Sequence, residues 1–295
     1  MLLGALEAGG TKMICSLGDE QGHLLDRARF DTLSPEETMP ELIRYFSGKG
    51  IAALGIGSFG PLDLNPQSPT FGYITTTPKE KWQNFPLKKA FEDALHVPVA
   101  LDTDVNAAVL AEQRLGAAQD VSTALYVTVG TGIGGGVMVN GQLVHGLIHP
   151  ELGHMLLISA KDDPTPQGFC PFHVSCAEGL ASGTAINKRW GVKAEDLPLS
   201  HPAWQLEADY LAQLCMNALA VFAPEKIILG GGVMQKSGLI ELVREKLKQL
   251  AGGYWQHEML EERLNEYLVL PGLNGNSGAV GALLLAADSL KPKNV

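Results

Sequence analysis

Positive charge is scarce in this chain of 295 residues: 22 Lys and Arg face 32 Asp and Glu, a net charge of −10 with His neutral. No Lys/Arg cluster forms the stripe that releases counterions from a phosphate backbone, so nucleic acid is not an expected partner. Long apolar runs are also missing, and nothing approaches the ~18 uninterrupted apolar residues of a membrane span. The opening MLLGALEAGG has neither the basic start nor the apolar stretch of a secretory leader. We therefore expect a soluble, cytoplasmic protein with no membrane contact. Cysteine occurs only four times, which in a reducing compartment does not suggest a disulfide framework. Cys15 in KMICSLG and Cys215 in LAQLCMNALA lie in apolar surroundings and read as core thiols. Cys170 and Cys176 are left to explain.

What is present is globular composition, 45% hydrophobic, at a length that suits two domains, each with its own core. LLGALEAGG, KMICSLGDEQG and HLLDRARFDT read as three strands in antiparallel succession. EETMPELIRYFSG reads as a helix with Ser34 and Pro35 at its start. A buried strand (IAALGIGSFGP), a helix (PLKKAFEDALH), a strand (VPVALD) and a helix closed by Gly116 (VNAAVLAEQRLG) follow. Near residue 121 the order begins again: STALYVTVGTGIGGGVMVNGQLVHG sets strand, glycine loop, strand, turn and strand against residues 3 to 30. This predicts a duplicated α/β core. Helices are expected at AEGLASGTAINKRWG, AWQLEADYLAQLCMNALAVFA, LIELVREKLKQLAG and SGAVGALLLAADSL, with the strand KIILGGG among them. Residues 155 to 177 read as a long loop, and such loops are usually functional or pinned. The expected division is 1–117 with 281–295 in one lobe and 118–280 in the other.

Three glycine-rich turns stand out: EAGGTK (7–12), GTGIGGG (130–136) and GGG (230–232). A missing Cβ lets backbone N–H groups approach a ligand closely, and phosphate oxygens are natural guests; the alternative is that each glycine merely shapes a tight hairpin. The apolar strand after Lys12 excludes a Walker A loop, and Val137–Val139 in place of a helix excludes a dinucleotide fingerprint. Two hairpins clasping a polyphosphate remain. Asp102 and Asp104 fall where a strand ends and a helix begins, either as reactive carboxylates or as a helix cap. Cys170-x₂-His173-x₂-Cys176 offers three zinc ligands, with His154, His149 or His145 available as a fourth; free thiols beside a solvated His are the alternative. Four protein ligands would leave no open position, making such a metal structural.

GALEAGGTK, GIGSFGPLD, DVNAAVLAE, VTVGTGIGGGVMVNGQLVHG, PELGH and IILGGGV, in that order from residue 4 to about 281, together resemble the ROK family of sugar kinases and regulators. Within it, CPFHVSCAEGLASG and SFGP are most similar to bacterial fructokinases. The resemblance implies an actin-like (hexokinase/ribonuclease H-like) duplicated two-lobe ATPase fold with ATP in the cleft between lobes. It implies a first phosphate loop of Gly9, Gly10, Thr11 and Lys12, a second with Thr131 and Gly132, and Leu229, Gly230, Gly231, Gly232 and Val233 bordering the adenosine. Asp104, in Asp-x-Asn-Ala-Ala, matches the general base, and Thr103, Asp104, Glu151, His154 and Glu178 match sugar contacts. Structural Zn²⁺ would be held by His154, Cys170, His173 and Cys176, with imidazole replacing one thiolate of the commoner Cys-x-Cys-Gly-x₂-Gly-Cys form. Mg²⁺ accompanies ATP, and Glu7 stands where many relatives have Asp.

The implied reaction is ATP-dependent phosphorylation of D-fructose to fructose 6-phosphate by a homodimer, with a broader hexose kinase using mannose or glucose as the alternative. Thr103, where glucose-phosphorylating relatives often carry Asn, argues against glucose as best substrate. A sugar-sensing regulator is less expected, because the first strand starts within three residues of Met1 and the family's regulators place a helix-turn-helix before it. Asp104 and the Glu151/Glu178 pair disfavour a nucleotide-binding module without activity.

Overall fold

Short apolar runs joined by tight glycine turns can only pair antiparallel, because a parallel return needs a crossover of a dozen residues or more. β1 (Leu3–Ala8), β2 (Lys12–Gly18) and β3 (Leu24–Asp31) pair in this way. The structure, a computed structural model, describes residues 1–292. Helix α1 (Pro35–Phe46) starts where Ser34 donates both its N–H and its hydroxyl to the Glu37 carboxylate, with Pro35 in the first turn. β4 (Leu54–Ser58) then lies parallel to β1, and after α2 (Leu87–Leu95), β5 (Val99–Thr103) lies parallel to β4 and leads into α3 (Asp104–Leu115).

The second round repeats the first. β6 (Ala124–Val129), β7 (Ile133–Val139) and β8 (Gln142–Leu143) open it. Helices α4 (Ala177–Ala181), α5 (Gly183–Trp190) and α6 (Ala203–Phe222) lead to β9 (Lys226–Gly230), which lies parallel to β6. After α7 (Leu239–Ala251), α8 (Glu258–Glu261) and α9 (Leu264–Tyr267) comes β10 (Leu268–Val269), and α10 (Ser277–Ser289) follows. The sheet orders β3-β2-β1-β4-β5 and β8-β7-β6-β9-β10 are one pattern written twice, with a hairpin on one side of the central strand and parallel strands on the other. Cys15 and Cys215 are buried, and burial pushes the Cys215 thiol up to about 12. Among the described residues no helix is long and apolar enough to cross a membrane.

Two local readings change. The helix expected through AEGLASGTAINKRWG breaks at Ser182, which is extended (φ −78°, ψ 160°) and whose Oγ accepts the Ala185 N–H at 3.1 Å to start α5. The Gly183 N–H, freed by this break, donates to the Gly130 carbonyl at 2.7 Å. The chain divides into one unit of Met1–Gly116, Leu143–Pro150 and Asn276 onward, and another of Ala117–Gln142 and Glu151–Gly275, where we expected breaks at 117 and 280. Packing explains the difference. All of α10 lies against α3 and the first sheet, while His145 and His149 of Leu143–Pro150 bond to residues of the first unit.

Helix α10 fits there because two glycines let backbones touch. A Cβ on Gly281 would lie 1.9 Å from the Ala107 carbonyl oxygen, and one on Gly55 would lie 1.8 Å from that of Ala282. Gly281→Ala is therefore expected to cost about 1–3 kcal/mol or more, since backbone and not a flexible side chain must yield. Thermal melting checks this: the variant should lose several degrees, and a parental melting temperature would refute the close packing.

Candidate active site

In the first unit the first glycine loop is the β1–β2 turn. Gly9 N–H donates to the Lys12 carbonyl at 3.0 Å, and a Cβ on Gly9 would lie 2.7 Å from that oxygen, so the turn needs glycine. Thr11 and Lys12 are exposed at its tip. Glu7, two residues before the loop, is packed against Gly278 of α10, where a Cβ would lie 2.9 Å from its Cδ. Burial raises its carboxyl above the ordinary range, against the opposing pull of Arg27 and Lys12.

The β5–α3 junction answers whether an aspartate merely caps the helix. The cap is Thr103, whose Oγ1 accepts the Asn106 N–H at 3.1 Å. Thr103 is only 3% exposed, with its Oγ1 turned to the helix it caps. Asp104 is the first helical residue, half-buried, with Oδ1 accepting the Val105 N–H at 2.9 Å. Gly57 of β4 makes room for it, since a Cβ there would lie 3.3 Å from the Asp104 Cα. Asp102 is buried and bonds His145, a pair that the sequence reading missed. His149 Nε2 accepts the Leu62 N–H at 3.0 Å, and burial holds this imidazole below its usual range. Both histidines that the spacing left open as a fourth metal ligand are therefore engaged elsewhere.

In the second unit the Gly130–Gly132 loop is tied to α5: the Thr184 hydroxyl donates to the Thr131 carbonyl at 2.7 Å, beside the Gly183–Gly130 bond. A groove of about 1090 Å³ opens here, with Gly130, Thr131, Gly232 and Val233 in its wall. The side chain of Leu229, expected at the adenosine border, is instead fully buried in β9. A Cβ on Gly230 would meet the Tyr126 hydroxyl, and one on Gly231, at φ +90°, the Val129 backbone. Thr184, Lys188 and Lys236 also line the groove. Only Thr184, in a Gly-Thr pair after a serine, had any sequence signal, and we did not use it.

Glu178 of α4 accepts the Ile133 N–H at 3.0 Å, and a Cβ on Gly132 would lie 2.3 Å from its Oε2, so that glycine admits the carboxylate. Burial and then the Glu178 charge push the Glu151 carboxyl up to about 7. Next to this pair His154, Cys170, His173 and Cys176 converge, their ligand atoms all within 4.8 Å of one another. The His154 Nδ1 lies 3.7 Å from the Cys176 Sγ and 3.9 Å from the Cys170 Sγ, and the Cys170 Sγ lies 3.7 Å from the His173 Nδ1. A tetrahedron around zinc with bonds of about 2.0–2.3 Å has edges of about 3.3–3.8 Å. The donor set fits that ion, and these three distances lie within about 0.1 Å of such edges, while the widest pair, within 4.8 Å, closes on binding. The loop they pin is closed at its base, where Leu156 and Cys176 form an antiparallel bridge.

Two matching sheets, each with a glycine hairpin at its centre, define the actin-like, hexokinase-like α/β class. The chain belongs to the ROK family, which it matches over residues 3–289. It is 44% identical over 291 residues to a fructokinase of Pediococcus pentosaceus, covering 99% of both chains. To a fructokinase of Zymomonas mobilis it is 42% identical over 293 residues, covering 97% of this chain and 96% of that one. The ROK hexokinase of Thermus thermophilus shares the fold at a TM-score of 0.76 and 29% identity, over 97% of this chain and 98% of that one.

Proposed function

We propose that the protein is a fructokinase, moving the γ-phosphoryl group of ATP to D-fructose to give fructose 6-phosphate and ADP. The observation that carries this reading is full-length similarity to fructokinases, in a chain whose Asp104 stands half-buried at the first position of α3 while Thr103 caps that helix. As general base it accepts the proton of the attacking sugar hydroxyl while the bond from oxygen to phosphorus forms and the bond to ADP breaks. Such transfer demands alignment and charge neutralisation. Gly9 closes the first phosphate loop through its bond to the Lys12 carbonyl, Gly10, Thr11 and Lys12 supply N–H groups and a cation, and Thr131 and Gly132 supply the second phosphate loop. Gly232 and Val233 border the adenosine in the groove. ATP enters as its Mg²⁺ complex, and the proton-favouring surroundings of Glu7 support a role for it through water and not by direct ligation.

Glu151, Glu178 and His154 take the sugar hydroxyls. With its pKa near neutrality, Glu151 can both donate and accept a hydrogen bond. His154 turns Nδ1 to the thiols and keeps Nε2 for the sugar. Zinc on His154, Cys170, His173 and Cys176 supplies rigidity and no open coordination position. The family resemblance also supports a cytoplasmic homodimer.

The choice of fructose is supported by Thr103, a buried residue whose short side chain turns Oγ1 to the helix, at the position where glucose-phosphorylating relatives often carry the longer amide of asparagine. An ADP-release assay across fructose, mannose and glucose is expected to give the highest kcat/KM with fructose, then mannose. Glucose as the best substrate would overturn the fructose assignment, and no ADP release with any sugar would overturn the kinase.

A further inference from the structure

Residues 143–150 pack with the first unit although the chain before and after them belongs to the second, and two histidines anchor this excursion in different ways. His149 is held neutral by burial and accepts a hydrogen bond from Leu62 N–H. His145 instead faces the carboxylate of Asp102, with its Nε2 at 2.8 Å from Oδ2.

Asp102 is only 5% exposed, and a buried carboxylate is tolerable only with its oxygens bonded. Oδ1 accepts the Thr103 N–H and the Asn106 side-chain N–H, both at 2.8 Å, which leaves Oδ2 to His145. Asn106 is fully buried, and its own N–H is on the Thr103 hydroxyl. The residues that bracket Asp104 are thus bonded to one another, and His145 is the donor that reaches this frame from a distant part of the chain. Its bond to Asp102 holds the imidazole above its ordinary range, and it donates to that carboxylate through Nε2; Asp102 and His149 are the titratable groups it faces.

We propose that His145 is a positioning residue for Asp104, acting through Asp102 to fix the first turn of α3; this rests on the reading of Asp104 as the general base. Without the donor, a buried charge loses one of its three partners, and the carboxylate must turn or take up a proton. Either change loosens Thr103 and Asn106, and a small misplacement of a reacting group is expensive in rate.

His145→Ala is expected to lower kcat by about 10- to 100-fold with KM for ATP unchanged. His145→Gln, whose amide can reach the same oxygen, should recover most of the loss. His145→Asn, too short to reach, substitutes for the alanine variant if that fails to fold. On an Asp104→Asn background the alanine substitution should cost nothing further, because the two act as one unit. A parental kcat in His145→Ala, a glutamine variant as slow as the alanine, or losses that multiply in the double variant would each overturn the proposal. Parental turnover in Asp104→Asn alone would overturn the base assignment and the proposal with it, a result read before His145 is touched.

Discussion

Asp104→Asn is expected to fold like the parent and to turn over about 10² to 10⁴ times more slowly. The separation of stability from rate follows from the local structure. Thr103 caps α3, so the helix does not need the charge at position 104. The hydrogen bond that Asp104 Oδ1 accepts from Val105 N–H at 2.9 Å can be accepted equally by an asparagine oxygen. What is lost is a negative charge in the first turn, worth about 0.3–1 kcal/mol against the helix dipole. That is a small change in melting temperature beside a loss of two to four orders of magnitude in kcat. An amide cannot take the proton of the sugar hydroxyl, whereas the phosphate loops in EAGGTK and GTGIGGG are untouched, so KM for ATP should hold. ADP release and thermal melting on the same preparation test both halves, and a folded variant with parental kcat refutes the base.

Stripping metal from the His154/Cys170/His173/Cys176 cluster is expected to raise KM for fructose tenfold or more, with a smaller change in KM for ATP. In zinc fingers a structural zinc supplies on the order of 10–16 kcal/mol and is the whole fold; here both sheets have their own cores, so the loss falls on the loop. The loop is held at two places. At one, Asp163 bonds the Arg189 Nε at 2.9 Å and the Tyr210 hydroxyl at 2.6 Å, all buried protein contacts that need no metal. At the other are the cluster residues, and Cys176 there also caps α4, its Sγ accepting the Gly179 N–H at 3.4 Å. Glu178 lies two residues beyond, and the Glu151 carbonyl accepts the His154 N–H at 3.0 Å, so both carboxylates proposed to take the sugar adjoin the end that a metal would pin. Cys176→Ser should act in the same direction. Calorimetric fructose binding with chelated and zinc-restored protein, alongside elemental analysis, reads this without relying on turnover. Full sugar affinity in the metal-free protein refutes the coupling.

The elements were largely legible from the sequence. Short apolar runs between glycine-containing turns marked β1 to β3, and the repeated strand, glycine loop, strand order marked β6 and β7 as their copies. The cysteine–histidine spacing named three members of the cluster, and His154 came from the resemblance. Each signal is local, a matter of neighbouring residues and their periodicity. The misses were of two kinds. Leu229 carries no sign that its strand is buried on both faces, so a residue beside a glycine run was read as lining when it lies behind the wall. The break at Ser182 was hidden because helix periodicity continues through AEGLASGTAINKRW, and only the Gly183–Gly130 bond gives the chain a reason to stop there.

By itself the sequence determined the duplicated α/β core, the glycine turns that only glycine can make, and the residue types able to bind phosphate, accept a proton and hold zinc. Tertiary structure decided where each of them sits and what it touches. Thr103 caps a helix, Asp104 opens that helix without being its cap, and His145 reaches Asp102 across a separation of 43 residues. Periodicity is a property of neighbours along the chain, whereas burial and hydrogen-bond partners depend on where the whole backbone returns.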